Sequence, residues 1–173
     1  MSRWSAVFLD RDGTVNVAAA EGDYVTDPDQ VVLLPGVAEA IGRLRDAAIP
    51  VFVVTNQRGV ARGLMTLAAL DAVHDRVRSL LANTGVSLDG IYSCVHEVGV
   101  CDCRKPLPGL LRQVVRDNRG VRLARCAMVG DAAGDVLAGT AAGCATVRLS
   151  ARPDPLATAT VGSLPEAVSW LLP

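Results

Sequence analysis

A chain of 173 residues holds enough for one domain with a sizeable core and leaves little for a second. Half of it is hydrophobic, yet no run of about 18 uninterrupted apolar residues occurs, so a mean hydropathy of +0.32 does not imply a membrane span. A formal net charge of −1 gives no electrostatic basis for binding nucleic acid.

Short β-branched runs alternate with helical patterns along the whole chain. Ala6-Val7-Phe8-Leu9 reads as a first strand, and Pro35-Gly36 opens a helix over Val37 to Ala48. Val51 to Val54 is a continuous apolar run, the pattern of a strand buried on both faces. Thr66 is placed to cap a long helix with Leu67, Leu70, Val73, Val77 and Leu80 on one face. Ile91-Tyr92 begins a third strand, and Pro108-Gly109 opens a helix to about Asp117. Ala127 to Val129 is a fourth strand, followed by a helix from Ala133 to Ala142. Thr146 to Leu149 is a fifth strand, residues 151–160 form an irregular loop, and Ser163 caps a last helix, Leu164 to Leu172. This alternation predicts an α/β fold, a central parallel sheet with helices on both faces. Ligands of such sheets sit at the carboxyl ends of the strands.

The residues after those strands are polar. Asp10-Arg11-Asp12-Gly13-Thr14 follows the first; its two carboxylates suit a hard divalent cation, or an Asx turn with an N-cap. Thr55-Asn56-Gln57 follows the second and can offer a hydroxyl and an N–H to phosphate oxygens, or can cap a turn. Gly130-Asp131 follows the fourth, with Asp135 one helical turn on; Asp131 can complete a metal site or cap the helix. Of 17 basic residues only Lys105 is a lysine, a point charge among planar guanidinium groups.

The five cysteines are odd in number, and three fall within ten residues, which does not suit a secreted disulfide framework. Cys94, His96, Cys101 and Cys103 form a Cys₃His set suited to tetrahedral zinc with no open position. Such a site would pin the loop that delivers Arg104 and Lys105. Cys126 and Cys144 read as core thiols of a reducing compartment, the cytoplasm. The opening MSRWSAVFLD passes from a short apolar run into acidic residues and does not read as a signal peptide. His74, Trp4 and Trp170 read as structural.

These motifs, in this order, resemble the haloacid dehalogenase (HAD) superfamily of phosphotransferases: FLDRDGT at 8–14, VVTNQ at 53–57, Arg104-Lys105-Pro106 and VGDAAGD at 129–135. The likeness runs from Phe8 to about Leu149. Within the superfamily the chain looks like its zinc-containing branch, which includes heptose bisphosphate phosphatases and histidinol-phosphate phosphatases. DRDGTVN at 10–16, GDYV at 22–25 and TNQRGVARG at 55–63 look like the heptose enzymes. The four residues between His96 and Cys101 look like the histidinol enzymes, and Ala132 stands where heptose enzymes often carry Lys.

The resemblance implies a HAD-like three-layer sandwich over residues 1–173, a single domain with a zinc loop at 94–103 and no large cap. It places strands one and four side by side. It implies Asp10 as the nucleophile that forms an aspartyl-phosphate, Asp12 as general acid and base, and Thr55 and Lys105 as stabilisers of the transferring group. Magnesium would take Asp10, Asp131 and the backbone carbonyl of Asp12. Asn56, Arg104, Arg58 and the loop Glu21-Gly22-Asp23-Tyr24 would bind substrate. The expected substrate is a phosphorylated small molecule, a D-glycero-D-manno-heptose 1,7-bisphosphate, handled by a monomer without nucleic-acid or membrane partners. Histidinol phosphate is the alternative substrate, a non-catalytic zinc-stabilised binding module the alternative of another class, and a polynucleotide phosphatase a fourth reading.

Overall fold

The computed structural model describes residues 3–172; Met1 and Ser2, the start of the segment read as no signal peptide, and Pro173 lie outside them. Six parallel strands form one sheet: β1 (Ala6–Leu9), β2 (Val51–Asn56), β3 (Gly90–Cys94), β4 (Cys126–Gly130), β5 (Ala145–Leu149) and β6 (Ala159–Val161), in the order β3-β2-β1-β4-β5-β6. The helices are α1 (Val37–Asp46), α2 (Leu67–Ala82), α3 (Gly109–Asp117), α4 (Ala133–Ala142) and α5 (Leu164–Leu171). Strand β1 is central and buried on both faces, which is why it carries four successive apolar residues. It pairs with β4 from Ala6↔Cys126 to Leu9↔Val129, so the first and fourth strands are neighbours, as the resemblance implied.

Two apolar clusters cover the two faces. Val7, Leu9, Val51 and Val53 point to the side packed by α1, α2 and α5, while Phe8, Phe52, Val54 and Met128 point to the side of α3 and α4. The period-two alternation of each strand makes this division possible. No helix among the described residues is long and apolar enough to cross a membrane.

Three expectations need correction. The segment at 151–160 is not wholly irregular: Ala159 to Val161 forms β6 on β5. Its Ala-Thr-Val sequence gives little apolar signal; Thr146 and Thr158 instead exchange backbone-to-hydroxyl bonds of 3.0 and 3.1 Å that lay the segment along β5. The buried stripe of α2 is Leu70, Val73, His74, Val77 and Leu81, with Leu67 exposed and Leu80 only partly covered. A 3.6-residue period turns Leu67 and Leu80 off that face. Cys144 is only partly buried, whereas Cys126 is in the core.

Thr66 and Ser163 cap α2 and α5 through their hydroxyls, as expected. His74 is buried, with no hydrogen-bond partner for Nε2 among the described residues, and burial, with Arg11 and Arg78 adding to it, pushes its pKa down to about 4. Trp4 packs beside Trp170, ring centroids 6.3 Å apart, and its indole donates to the Leu171 carbonyl at 2.9 Å.

Candidate active site

Strands β1, β2 and β4 end at one edge, and their polar successors meet there. Asp10 extends β1, its N–H donating to the Val129 carbonyl at 2.9 Å, so the neighbouring strand fixes its height. Lys105 arrives from the loop after β3. Its main chain is held by Asn56, whose amide oxygen accepts from the Lys105 N–H at 3.0 Å and whose NH₂ donates to the Lys105 carbonyl at 2.9 Å. Asn56, expected to bind substrate, therefore spends its side chain on positioning Lys105.

The Lys105 ammonium is almost completely buried and donates to three oxygens: Asp10 Oδ1 at 2.8 Å, the Val54 carbonyl at 2.8 Å and Asp135 Oδ1 at 2.5 Å. Burial works against its charge, but Asp10 and Asp135 outweigh that and lift its pKa above the ordinary lysine value. In the sequence Asp135 stands out only for its spacing from Asp131. Its Oδ2 accepts from the Ala132 N–H at 3.0 Å, so it also closes the first turn of α4. Gly130 is what lets Asp135 in, because a β-carbon at 130 would collide with that carboxylate. The capping role open to Asp131 falls to Ala132 and Asp135 instead.

Oxygens of Asp10, Asp131 and Asp135 lie within 4.8 Å of one another. Burial pushes Asp10 up to about 6, against the pull of Lys105 and with the Asp135 charge adding to it. Asp131 is also pushed up, by burial first and then by Asp10. One ammonium thus bonds two of the three clustered carboxylates, and the raised pKa values of Asp10 and Asp131 mark a deficit of positive charge at the strand ends. A hard divalent cation fits that deficit and that all-oxygen donor set. Gly13, at φ +82°, shapes the same spot, since a β-carbon there would strike the Asp131 carboxylate.

The Asp12 side chain is turned into its own network. Arg11, fully buried, reaches Asp12 with Nε at 3.2 Å and Nη2 at 3.0 and 2.9 Å; Asn16 donates at 3.0 Å and Gln57 at 2.8 Å. Gln57 also donates to Thr55 Oγ1 at 2.9 Å, tying the first two strand-end motifs together. The Asp12 carboxylate is outside the three-carboxylate cluster, which leaves its backbone as the part able to face a cation there. Asp10, Asp12, Thr55, Asn56, Lys105, Ala132, Gly134 and Asp135 line a cavity of about 140 Å³.

The outer residues are less concentrated. Asp23 and Tyr24 line a separate cleft of about 590 Å³ with Val17, Gln30, Val32 and Leu64. Glu21 and Gly22 form an exposed turn and are not among its walls. Arg58 is ion-paired to Glu97 of the 94–103 loop. Arg104 Nη1 is buried without a hydrogen-bond partner among the described residues.

Cys94, His96, Cys101 and Cys103 converge, with one ligand atom from each within 4.8 Å of the others and no disulfide. Zinc bonds of about 2.3 Å to sulfur and 2.05 Å to nitrogen at tetrahedral angles place sulfur pairs about 3.8 Å and sulfur–nitrogen pairs about 3.6 Å apart. Cys94 and Cys101 sulfurs are 3.6 Å apart, and His96 Nδ1 stands 3.7 Å from Cys94 and 3.2 Å from Cys103. The four donors fit the metal.

Residues 3–143 match the family model of haloacid dehalogenase-like hydrolases. The chain is 44% identical over 149 residues to a D-glycero-β-D-manno-heptose-1,7-bisphosphate 7-phosphatase of Pseudomonas aeruginosa, covering 85% of this chain and 81% of the relative. It is 40% identical over 149 residues to the enzyme of that name from Escherichia coli K12, covering 82% and 76%. Its fold superposes on the crystal structure of a D,D-heptose 1,7-bisphosphate phosphatase from Bordetella bronchiseptica complexed with magnesium and phosphate, with TM-score 0.85 and 37% identity over 96% of this chain and 98% of the other.

Proposed function

Because the chain belongs to the haloacid dehalogenase-like hydrolases, we propose that it is a phosphatase that removes the 7-phosphate of a D-glycero-D-manno-heptose 1,7-bisphosphate. The observation that carries the chemistry is the meeting of Asp10, Thr55 and Asp131, from the ends of neighbouring strands, with Lys105 from the loop after β3. Asp10 attacks phosphorus in line; its carboxylate oxygen forms the P–O bond as the bond to the sugar oxygen breaks. Lys105 and Asn56 fix that carboxylate in place, and Lys105 with Thr55 offsets charge on the transferring group. Asp12 gives a proton to the leaving oxygen. It later takes one from the water that attacks the aspartyl-phosphate, releasing phosphate and restoring Asp10. Arg11, Asn16 and Gln57 position Asp12 between these events.

Asp10, Asp131 and the Asp12 carbonyl would hold magnesium, which when bound neutralises phosphate charge. Arg104, with a buried donor to spare, grips the substrate beside Lys105. Kinetics test the assignment: kcat/KM for the heptose bisphosphate should exceed that for histidinol phosphate at least about 100-fold. Equal, low values for both would reject both substrates.

Cys94, His96, Cys101 and Cys103 hold a structural zinc in this reading and fix the loop that ends in Arg104-Lys105. Metal analysis should find about one zinc per chain, and Cys103→Ser should remove it and lower the melting temperature by roughly 10 °C or more. Wild-type protein that keeps its melting temperature after complete zinc removal would count against the site.

A further inference from the structure

Strand β5 carries Arg148 near its carboxyl end, a residue without a part in the chemistry above. Arg148 pairs in register with Gly130, the residue before Asp131. Residues paired in register share a face of the sheet, and the position of a β-carbon on Gly130 points at Asp135. Arg148 therefore stands on the face that Asp135 and Lys105 occupy. Strand β5 lies two strand spacings from β1, about 10 Å, with β4 between them.

The guanidinium is poorly engaged. Its Nε is buried with no hydrogen-bond partner among the described residues, and its Nη1 is 3.8 Å from Asp154 Oδ2. A charge-assisted bond would close to about 2.8 Å. Asp154 does not depend on it, since its Oδ1 accepts from the Leu156 N–H at 2.9 Å. The Arg148 side chain is 20% exposed, and its charge is felt at Asp131, where it acts in the same sense as Lys105. The start of α4 adds Ala132, Gly134 and the acidic Asp135 to the cavity wall, so that side of the cavity receives no cation from the helix.

We infer that Arg148 is a specificity-determining residue that receives a second anionic group of the substrate, one about 10 Å or less from the phosphate under attack. This rests on the phosphatase reading given above and adds to it the residue that would meet the second phosphate of the bisphosphate. The planar fork of Arg148 suits a phosphate bidentately, and its unpaired Nε and loosely held Nη1 are the donors it has to give.

The test compares Arg148→Met and Arg148→Lys with wild type on heptose 1,7-bisphosphate and on heptose 7-phosphate, which lacks the second phosphate. Arg148→Met keeps the apolar stem, so the melting temperature serves as a fold control. For this variant KM for the bisphosphate should rise about 10- to 100-fold with kcat nearly unchanged, and KM for the 7-phosphate should stay within about twofold. Arg148→Lys should recover part of the loss. Equal effects on both substrates, or none on either, would overturn the role of Arg148 and leave the phosphatase reading standing. Failure of the wild type to hydrolyse either compound would remove that reading and this assignment with it.

Discussion

Replacing Asp10 by Asn is expected to lower kcat by about 10⁴-fold or more while leaving the melting temperature within a few degrees of wild type. The amide cannot form the covalent bond to phosphorus, so the two-step route closes and only binding and the remaining electrostatics act. The fold should tolerate the change for reasons visible in the site. The backbone at position 10 is fixed by its bond to the Val129 carbonyl, and the amide has the carboxylate's shape. The charge it removes is one that burial opposes, as the rise of Asp10 to about 6 shows. Lys105 keeps Asp135 and the Val54 carbonyl as partners, and the Asn oxygen can still face it. An Asp10→Asn protein with more than about 1% of wild-type kcat would exclude Asp10 as the nucleophile. A lost activity with a collapsed melting temperature would mean that Asp10 serves the fold instead. A non-catalytic binding module predicts neither loss.

Much of this arrangement was legible because the chemistry follows the strands. Apolar runs marked β1, β2 and β4, and the polar residue after each run had to lie at the same sheet edge once the strands were parallel. The Cys₃His set was legible for another reason: all four donors lie within ten positions, so local chain geometry brings them together. What the sequence did not show was how side chains are shared across long separations. Asn56 looked like a phosphate ligand because it follows Thr55; only the fold reveals that its amide matches both backbone groups of Lys105, 49 residues away. Arg11 and Asn16 lie inside a motif dominated by its two carboxylates, and their role appears only when both reach Asp12. Asp135 had a findable signal. A buried lysine requires counter-charge, and a carboxylate one helical turn after Asp131 was available to supply it.

Lys105→Met should cost roughly 3–5 kcal/mol of stability, a fall in melting temperature of roughly 6–20 °C, and lower kcat by about 10³-fold. Removing the ammonium leaves Asp10 and Asp135, both largely buried, without the cation that reconciles them. It also frees the Val54 carbonyl from its ammonium partner and the Asp10 carboxylate from the bond that aims it. The more telling variant is Lys105→Arg. In a chain with 16 arginines among 17 basic residues, this position holds the one lysine. The geometry supplies a reason: an ammonium has three donors around one small centre, and three oxygens at 2.5–2.8 Å surround it from β1, β2 and α4. A guanidinium is planar, larger and forked, and cannot direct donors to three converging acceptors in so closely packed a space. Lys105→Arg should therefore keep the charge and still lose about as much activity as Lys105→Met. Retention of more than about a tenth of wild-type kcat by the arginine variant would show that net charge is sufficient there, and the packed three-oxygen seat would lose its catalytic meaning.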